Sequence, residues 1–595
     1  MNQSEGEAAT LAVTADIPSL PGEADLQRLS PKALLALGLD GIRPLYLATR
    51  IYLAFSLWFV LIWLLGDFYE FRGNEIVFRI EYPLCLYLFF TFNQILRPSR
   101  WRPLLASAPI YGTYAVHDVH YLTFGAIPSL AQVRELPELF LVGDFWLRSG
   151  MILSALGIAW FALRLIQHNR RSLMVSLPAL SLVFSIVFAP AWVAKGLEYG
   201  LWGLNPWMQA ENAANNGRLT LAIYNEARRL EAWGKLESHI QDDNQQQYYD
   251  RALAYLKTNA RRDRQVFVVV LESFLDPRLL KPLKGRDEYL DPNFRRLYDK
   301  ALGFSVSPMF GGGTAQAEFE VLCGVPAFAE FDQVEFNIFS SNPIPCMPRV
   351  LSELGYDTLA NAPYIPAFFN SNRAYPGMGF TESYYAREHT DKPTYLHLEQ
   401  GQKYLFDGAL FEQNRGFLEQ RQSAKPLFNY MLTLYGHLYF DVQRPIKWKV
   451  ESKDVFLEQI VNISYYRSGP LAEYLQWINR QYPHALVIAL ADHLPMLGGW
   501  KERYNALNYL NNIEDNIYHN RILVVQDGKP KKLPTIQHFG VPYLVYDYLT
   551  DGGFCKNFDC PIEYPVEKEK LRERYRYLLA NAAQKPHEVS GRNGP

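Results

Sequence analysis

Two carboxylates, two imidazoles and one hydroxyl stand out along the chain: Glu272, Thr314, His437, Asp492 and His493. Two carboxylates and an imidazole make an oxygen-and-nitrogen donor set for a divalent cation. A threonine hydroxyl is a weak nucleophile at neutral pH, and a cation beside it lowers its pKa. The same cation neutralises charge on a phosphate under attack. These residue types point to attack of Thr314 on phosphorus, with Glu272, Asp492 and His493 as metal ligands. Taken singly, each has a plainer role. Glu272 can cap a loop, Asp492 can cap a helix, and His493 can be a hydrogen-bonding core histidine. Their succession (acid, Gly-Thr, His, Asp-His) is the more specific signal.

The threonine lies in SPMFGGGTAQAEFEVLCG, residues 307–324. Three glycines leave the backbone free to bend. Thr314 stands where a helix N-cap belongs, with AQAEFEVLC as the helical run behind it. Free N–H groups and the positive end of the helix dipole would face the hydroxyl, which suits a phosphate. A Gly-rich turn closed by a capping threonine is the plain structural reading of the same segment.

Strands must bring these residues together. VFVVVL runs into Glu272, LFNYMLTLYG into His437, and LVIALA into Asp492 and His493. Continuous apolar runs of this length, bounded by polar residues, predict strands buried on both faces of a parallel sheet. In an open α/β sheet, ligands bind beyond the carboxyl ends of the strands. Residues 263–553 are therefore expected to form an α/β catalytic domain with a mostly parallel central sheet. Residues 554–595 add a charged helix and a frayed end, SGRNGP.

The 595 residues carry a net charge of −2, which gives no reason to expect a nucleic-acid partner. Apolar runs crowd into the first third. Residues 1–44 are polar and lack the apolar core of a cleaved signal peptide, so a mobile tail is expected. Five apolar segments follow, at roughly 45–66, 77–96, 103–123, 148–166 and 172–194, each near the ~20 residues a bilayer needs. RPSRWR follows the second, and RLIQHNRRS joins the fourth and fifth. Basic loops remain cytoplasmic, so residues 45–197 are expected to be a five-helix membrane domain with everything later outside. Residues 198–262 read as a helical connector. Cys323, Cys346, Cys555 and Cys560 lie in the polar two thirds, and an even count there allows two disulfides in an oxidising compartment. Three connectivities exist for four cysteines. Close spacing favours Cys323–Cys346 and Cys555–Cys560.

The chain resembles the lipoteichoic acid synthase group of membrane phosphoglycerol transferases, within the alkaline phosphatase/sulfatase superfamily. LESF at 271–274, GGGTAQAEFEVLCG at 311–324, YGH at 435–437 and ADH at 491–493 carry the resemblance, together with the five apolar segments. It implies one divalent metal, Mn2+ or Mg2+ first and Zn2+ as an alternative, on Glu272, Thr314, Asp492 and His493. It implies that His437 contacts substrate and protonates the leaving group. The family's aromatic-Asn-Arg grip on glycerophosphate falls on FFNSNRAYPGMGF, with the arginine displaced, which nominates Asn370 and Arg373. His538, in QHFGVP, is a further candidate beside the phosphate. The implied reaction moves phosphoglycerol from phosphatidylglycerol to a glycan or polyol phosphate through a threonine adduct. Paired cysteines fit a Gram-negative inner membrane with the site on the periplasmic side, where related enzymes decorate glucans. Two other readings stand beside it: a phosphoethanolamine transferase acting on lipid A or glycan, and a non-catalytic membrane-anchored binding protein. Sulfatase chemistry is disfavoured, because Cys346-Met-Pro-Arg349 departs from the Cys/Ser-x-Pro-x-Arg signature.

Overall fold

The run QVFVVVL becomes β1, Gln265–Leu271, and six of its seven residues are buried. Side chains alternate across a strand, so Val266, Val268 and Val270 enter one apolar layer. Phe267, Val269 and Leu271 enter the other. A strand covered on both faces has no polar side to show, which is why it reads as an unbroken apolar run. The computed structural model describes residues 49–584, apart from 65–74, 125–127, 129, 131–132, 134–135, 168, 203–208, 241, 332–333, 438–443, 451–453, 499 and 563–565. The expected N-terminal tail and the SGRNGP end lie outside the described residues.

Among the described residues, nine strands form one sheet. The others are β2 (Gly303–Val306), β3 (Asp357–Asn361), β4 (Glu382–Tyr384), β5 (Leu427–Leu432), β6 (Ala485–Ala491), β7 (His519–Gln526), β8 (Lys529–Lys531) and β9 (Ile536–Gln537). The order is β4-β3-β5-β1-β6-β7-β2-β9, with β8 on β7. Pairing from β4 through β6 is parallel, while β7 runs antiparallel to β6, β2 and β8. One face is covered by the helices Thr314–Cys323 and Lys568–Ala583. The other is covered by Pro292–Tyr298, Asp407–Gln420 and Val455–Gln481. The C-terminal helix is thus part of the domain's own core, with Tyr575, Leu578 and Leu579 buried in it. Disulfides join Cys323 to Cys346 and Cys555 to Cys560.

Before this domain the chain is helical. Phe145–Leu165 and Arg170–Phe188 are long and apolar enough to cross a membrane, and they are almost uncovered by protein. Thr49–Leu64 is a shorter apolar helix. Glu81–Ile95 and Arg102–Phe124 occupy the second and third apolar segments. Arg97 N–H donates to Leu165 and Gln167 N–H to Ile95, both at 2.8 Å, so the two basic loops lie side by side.

Further along, the helix Arg218–Gly234 is closed at its start by a carboxylate from far upstream. Glu81 is fully buried and accepts from Leu219 N–H (3.0 Å), Thr220 N–H (2.8 Å), the Thr220 hydroxyl (2.6 Å) and the Tyr114 hydroxyl (2.5 Å). The first N–H groups of a helix have no partner within it, and a carboxylate there also meets the positive dipole end. Gly217 has φ 96°, and a Cβ on it would fall 2.3 Å from the Glu81 side chain. Only glycine fits so close an approach in that backbone region. Beside it, Arg218 makes two hydrogen bonds to Asp118, at 2.6 and 2.9 Å.

Candidate active site

Register places the acids. β1 lies between β5 and β6, with Leu271 opposite Ala491 and Val270 opposite Leu432. Glu272 and Asp492 are each one residue past a paired position, so they leave neighbouring strands at the same level. Thr433 leaves β5 beside them, and its hydroxyl accepts from Glu272 N–H at 3.2 Å. Asp492 N–H donates to the Leu271 carbonyl at 3.3 Å. Parallel strands ending in step make a shelf of polar groups, and the shelf is where the sheet can do chemistry.

Glu272, Asp492 and His493 are buried, and one ligand atom from each lies within 4.8 Å of the others. His493 Nε2 is 3.3 Å from Asp492 Oδ2 and 3.7 Å from Glu272 Oε1. The other ring nitrogen, Nδ1, lies 3.1 Å from the Leu494 carbonyl. A proton on Nδ1 donated to that carbonyl turns the Nε2 lone pair toward the two acids, the arrangement a metal-bound histidine adopts. Asp492 Oδ1 accepts from Ser273 N–H and His493 N–H, both at 2.7 Å. Among the described residues Asp492 Oδ2 is buried with no hydrogen-bond partner. A buried carboxylate oxygen left bare is costly, and a cation among these three groups removes the cost. The donor set fits a divalent metal.

The electrostatics agree. Burial works against ionisation of Glu272, but the imidazoles of His493 and His437 and the hydroxyls of Ser273 and Thr314 hold it below the ordinary range. Burial and then the Glu272 charge push Asp492 up. Burial lowers His493, and the two acids more than offset it, so it rises. Two carboxylates this close resist carrying both charges without a compensating cation.

Thr314 reaches the shelf from a separate loop. Gly311 N–H bonds the Leu494 carbonyl at 3.2 Å, pinning the glycine loop across the end of β6. Gly313, with φ 75°, is the helix N-cap, and Thr314 is the first residue of the helix. The expectation that Thr314 itself caps is corrected. Its hydroxyl turns outward and donates to Glu272 Oε2 at 2.9 Å instead of accepting from its own helix. Glycine takes the left-handed cap position, which frees the threonine oxygen.

Above the shelf is a pocket lined by Glu272, Thr314, Glu318 and His437, with aromatic walls that include Tyr364 and Tyr404. His437 is half-buried, and its ring lies 5.1 Å from that of Tyr404. The remaining candidates lie elsewhere. Asn370 has φ 55° and gives its amide to the Phe336 and Phe339 carbonyls, at 2.7 and 2.9 Å, so it fixes the loop behind the wall. Arg373 is exposed on the Ser371–Met378 helix and does not line the pocket. His538 is buried behind the site, 3.1 Å from the Ser305 hydroxyl, and burial followed by the nearby His493 lowers it to about 3. Cys346 is tied in a disulfide, so no free thiol is present where a sulfatase-type signature would need one.

Glu318 and the tyrosines were not singled out by sequence reasoning. A signal existed for Glu318: it stands four residues after Thr314, hence on the same helix face one turn on. Its Oε1 accepts from Tyr375 (2.6 Å) and Tyr430 (2.7 Å). Burial raises its carboxyl to about 7 despite those two bonds.

Residues 264–548 match the family model described as Sulfatase. A Rhizobium meliloti (strain 1021) protein named for cyclic beta-1,2-glucan modification is 25% identical over 315 residues, 50% of this chain and 47% of its own length. The chain thus spans about half the length of that curated relative. Among solved structures, the lipoteichoic acid synthase LtaP from Listeria monocytogenes is similar with a TM-score of 0.41 and 18% identity, covering 53% of this chain and 80% of that one. The Streptococcus pyogenes phosphoglycerol transferase GacH, solved with sn-glycerol-1-phosphate, has a TM-score of 0.40 and 16% identity, covering 59% and 92%. Strand-end acids in step, the threonine on its glycine loop and the matched span together make residues 264–548 a sulfatase-family domain of the sulfatase/alkaline phosphatase superfamily.

Proposed function

We propose that the protein is a membrane phosphoglycerol transferase that takes its group from phosphatidylglycerol and gives it to a periplasmic glycan or polyol acceptor. The observation that carries this reading is the 2.9 Å hydrogen bond from the Thr314 hydroxyl to Glu272, beside Asp492 and His493. Glu272, Asp492, His493 and Thr314 would hold one divalent cation, Mn2+ or Mg2+ by donor hardness, which supplies charge to acidify the hydroxyl and to neutralise the phosphate. Thr314 Oγ1 passes its proton along its hydrogen bond to Glu272 Oε2 and attacks phosphorus. The bond from phosphorus to the diacylglycerol oxygen breaks, and His437 gives that oxygen a proton. Phosphoglyceryl-threonine remains. An acceptor hydroxyl then attacks phosphorus, its proton passes to His437, the bond from phosphorus to Thr314 Oγ1 breaks, and Thr314 takes back its proton from Glu272. The helical segments 45–197 form a multi-pass anchor in the inner membrane, with residues 198–262 as connector and the catalytic domain on the periplasmic side. Support for the anchor comes from two uncovered apolar helices and from the adjacent basic loops. Anchoring raises the effective concentration of a lipid donor.

Incubation of the full chain with phosphatidylglycerol and Mn2+, followed by mass measurement of the peptide bearing Thr314, tests the reading. A glycerophosphate adduct is expected, absent in Thr314→Ala. Turnover by that variant at the wild-type rate sinks the mechanism, and a phosphoethanolamine adduct formed from total lipid reassigns the donor.

A further inference from the structure

Glu318 is 4% exposed, yet it lines the pocket. A buried carboxyl needs partners for both oxygens. Tyr375 and Tyr430 are fully buried phenols, and both donate to the same oxygen, Oε1. Among the described residues Oε2 receives no hydrogen bond from the protein, and the residue faces the cavity. The two phenols fix the carboxyl plane, so Oε2 is held in one direction. Thr314 opens the helix and Glu318 follows one turn later. One turn is about 5.4 Å, the length of a short polyol chain. A group bonded to phosphorus at Thr314 would reach Glu318 with its far end. Among the described residues the pocket's walls, Tyr364, Tyr385 and Tyr404 among them, are largely aromatic and carry no Lys or Arg.

We infer that Glu318 is a specificity residue whose Oε2 accepts a hydroxyl at the far end of the transferred group, so that the pocket selects a hydroxyl-bearing headgroup. The inference rests on the transferase reading and deepens it. Glu318 touches the headgroup remote from the reacting phosphorus and takes no proton in the reaction. A site built to bond a hydroxyl rejects the analogue lacking it, because the site's own polar atom is then left unpaired.

The test compares three lipids in vesicles with the full-length protein and Mn2+: phosphatidylglycerol, phosphatidylpropanol, which lacks headgroup hydroxyls, and phosphatidylethanolamine. The readout is the rate of adduct formation on Thr314. Wild type should favour phosphatidylglycerol over phosphatidylpropanol by about ten- to a hundredfold. In Glu318→Ala that ratio should fall toward one, with the half-saturating concentration of phosphatidylglycerol raised. Glu318→Gln keeps an oxygen for the two phenols, so it guards against loss of fold; its ratio should lie between the two. An unchanged ratio in folded Gln and Ala variants overturns the inference and leaves Glu318 a packing group. A wild-type preference for phosphatidylethanolamine overturns it as well, because an ammonium is then what the carboxyl holds. No adduct with any of the three lipids overturns the transferase reading itself, and the inference falls with it.

Discussion

Behind Glu272 sits a buried ion pair with no counterpart in the chemistry. Arg467 Nε lies 2.6 Å from Asp407 Oδ2, and neither side chain is more than 1% exposed. Arg467 also donates to the Thr433 hydroxyl at 3.1 Å, and that hydroxyl receives Glu272 N–H. The pair therefore sets where Glu272 leaves its strand. Removing one partner of a buried pair leaves an uncompensated charge, at about 3–5 kcal/mol. Arg467→Ala should lower the unfolding midpoint accordingly and slow adduct formation on Thr314. The double variant Asp407→Leu/Arg467→Met should recover most of the stability, because well-packed apolar replacements are often neutral. It should not recover the rate. Recovery of both in a denaturation and rate series would reduce the pair to packing. Nothing in the sequence couples residues 407 and 467, because the helices carrying them meet only in the folded layer. Glu272, Asp492 and His493 were legible because each ends an unbroken apolar run. The Asn370 amide's two bonds to the Phe336 and Phe339 carbonyls were not legible, because a loop's backbone geometry decides what an amide faces, and sequence pattern does not encode that turn.

The Thr314–Cys323 helix buries all ten residues, three of them acidic or amide. Glu320 accepts from Ala327 N–H at 3.0 Å, and Glu335, nearby on the following segment, accepts from Ala329 N–H at 2.9 Å. Burial raises Glu320 to about 8 and Glu335 to about 7, from an ordinary 4.5. In the folded chain both keep their protons well above the pH at which the unfolded chain loses them. Their contribution to stability is thus complete below about pH 4.5 and is lost as pH rises through 7 and 8. The unfolding free energy should fall between about pH 5 and pH 8, by on the order of a few kcal/mol, and the melting temperature with it. Glu320→Gln should flatten that slope; thermal melts at several pH values decide, and an unaltered slope rejects the assignment. This helix was visible as a helix from its pattern. Its glycine cap was not, since a threonine after glycines satisfies the usual cap preference equally well, and only the pull of Glu272 on the hydroxyl chose otherwise.

For the whole molecule, the α/β reading could be taken from the strands alone, because a parallel sheet demands apolar runs that nothing else explains. The helical part before the sheet domain was less legible. Apolar length alone cannot say what covers a helix. Arg102–Phe124 carries Asp118, and the structure engages that acid with Arg218 from the next region of chain. If one cation joins the shelf, chelation should destabilise the catalytic domain as well as stop the reaction. Binding at a hundred times Kd is worth about 2.7 kcal/mol. Chelator should therefore lower the domain's melting transition, and added Mn2+ should restore it in wild type but not in Asp492→Ala.

The Glu81 carboxylate has a practical bearing on where the polypeptide can be cut. Severing the chain anywhere after residue 81 and before Arg218 strips two amides and a hydroxyl at 219–220 of the acceptor that sits 138 and 139 positions upstream. A water-soluble fragment begun at Gln209 or Arg218 would open with a bare helix start, whereas one begun at Asp242 inherits its own aspartate acceptor for Asn244 and Gln245.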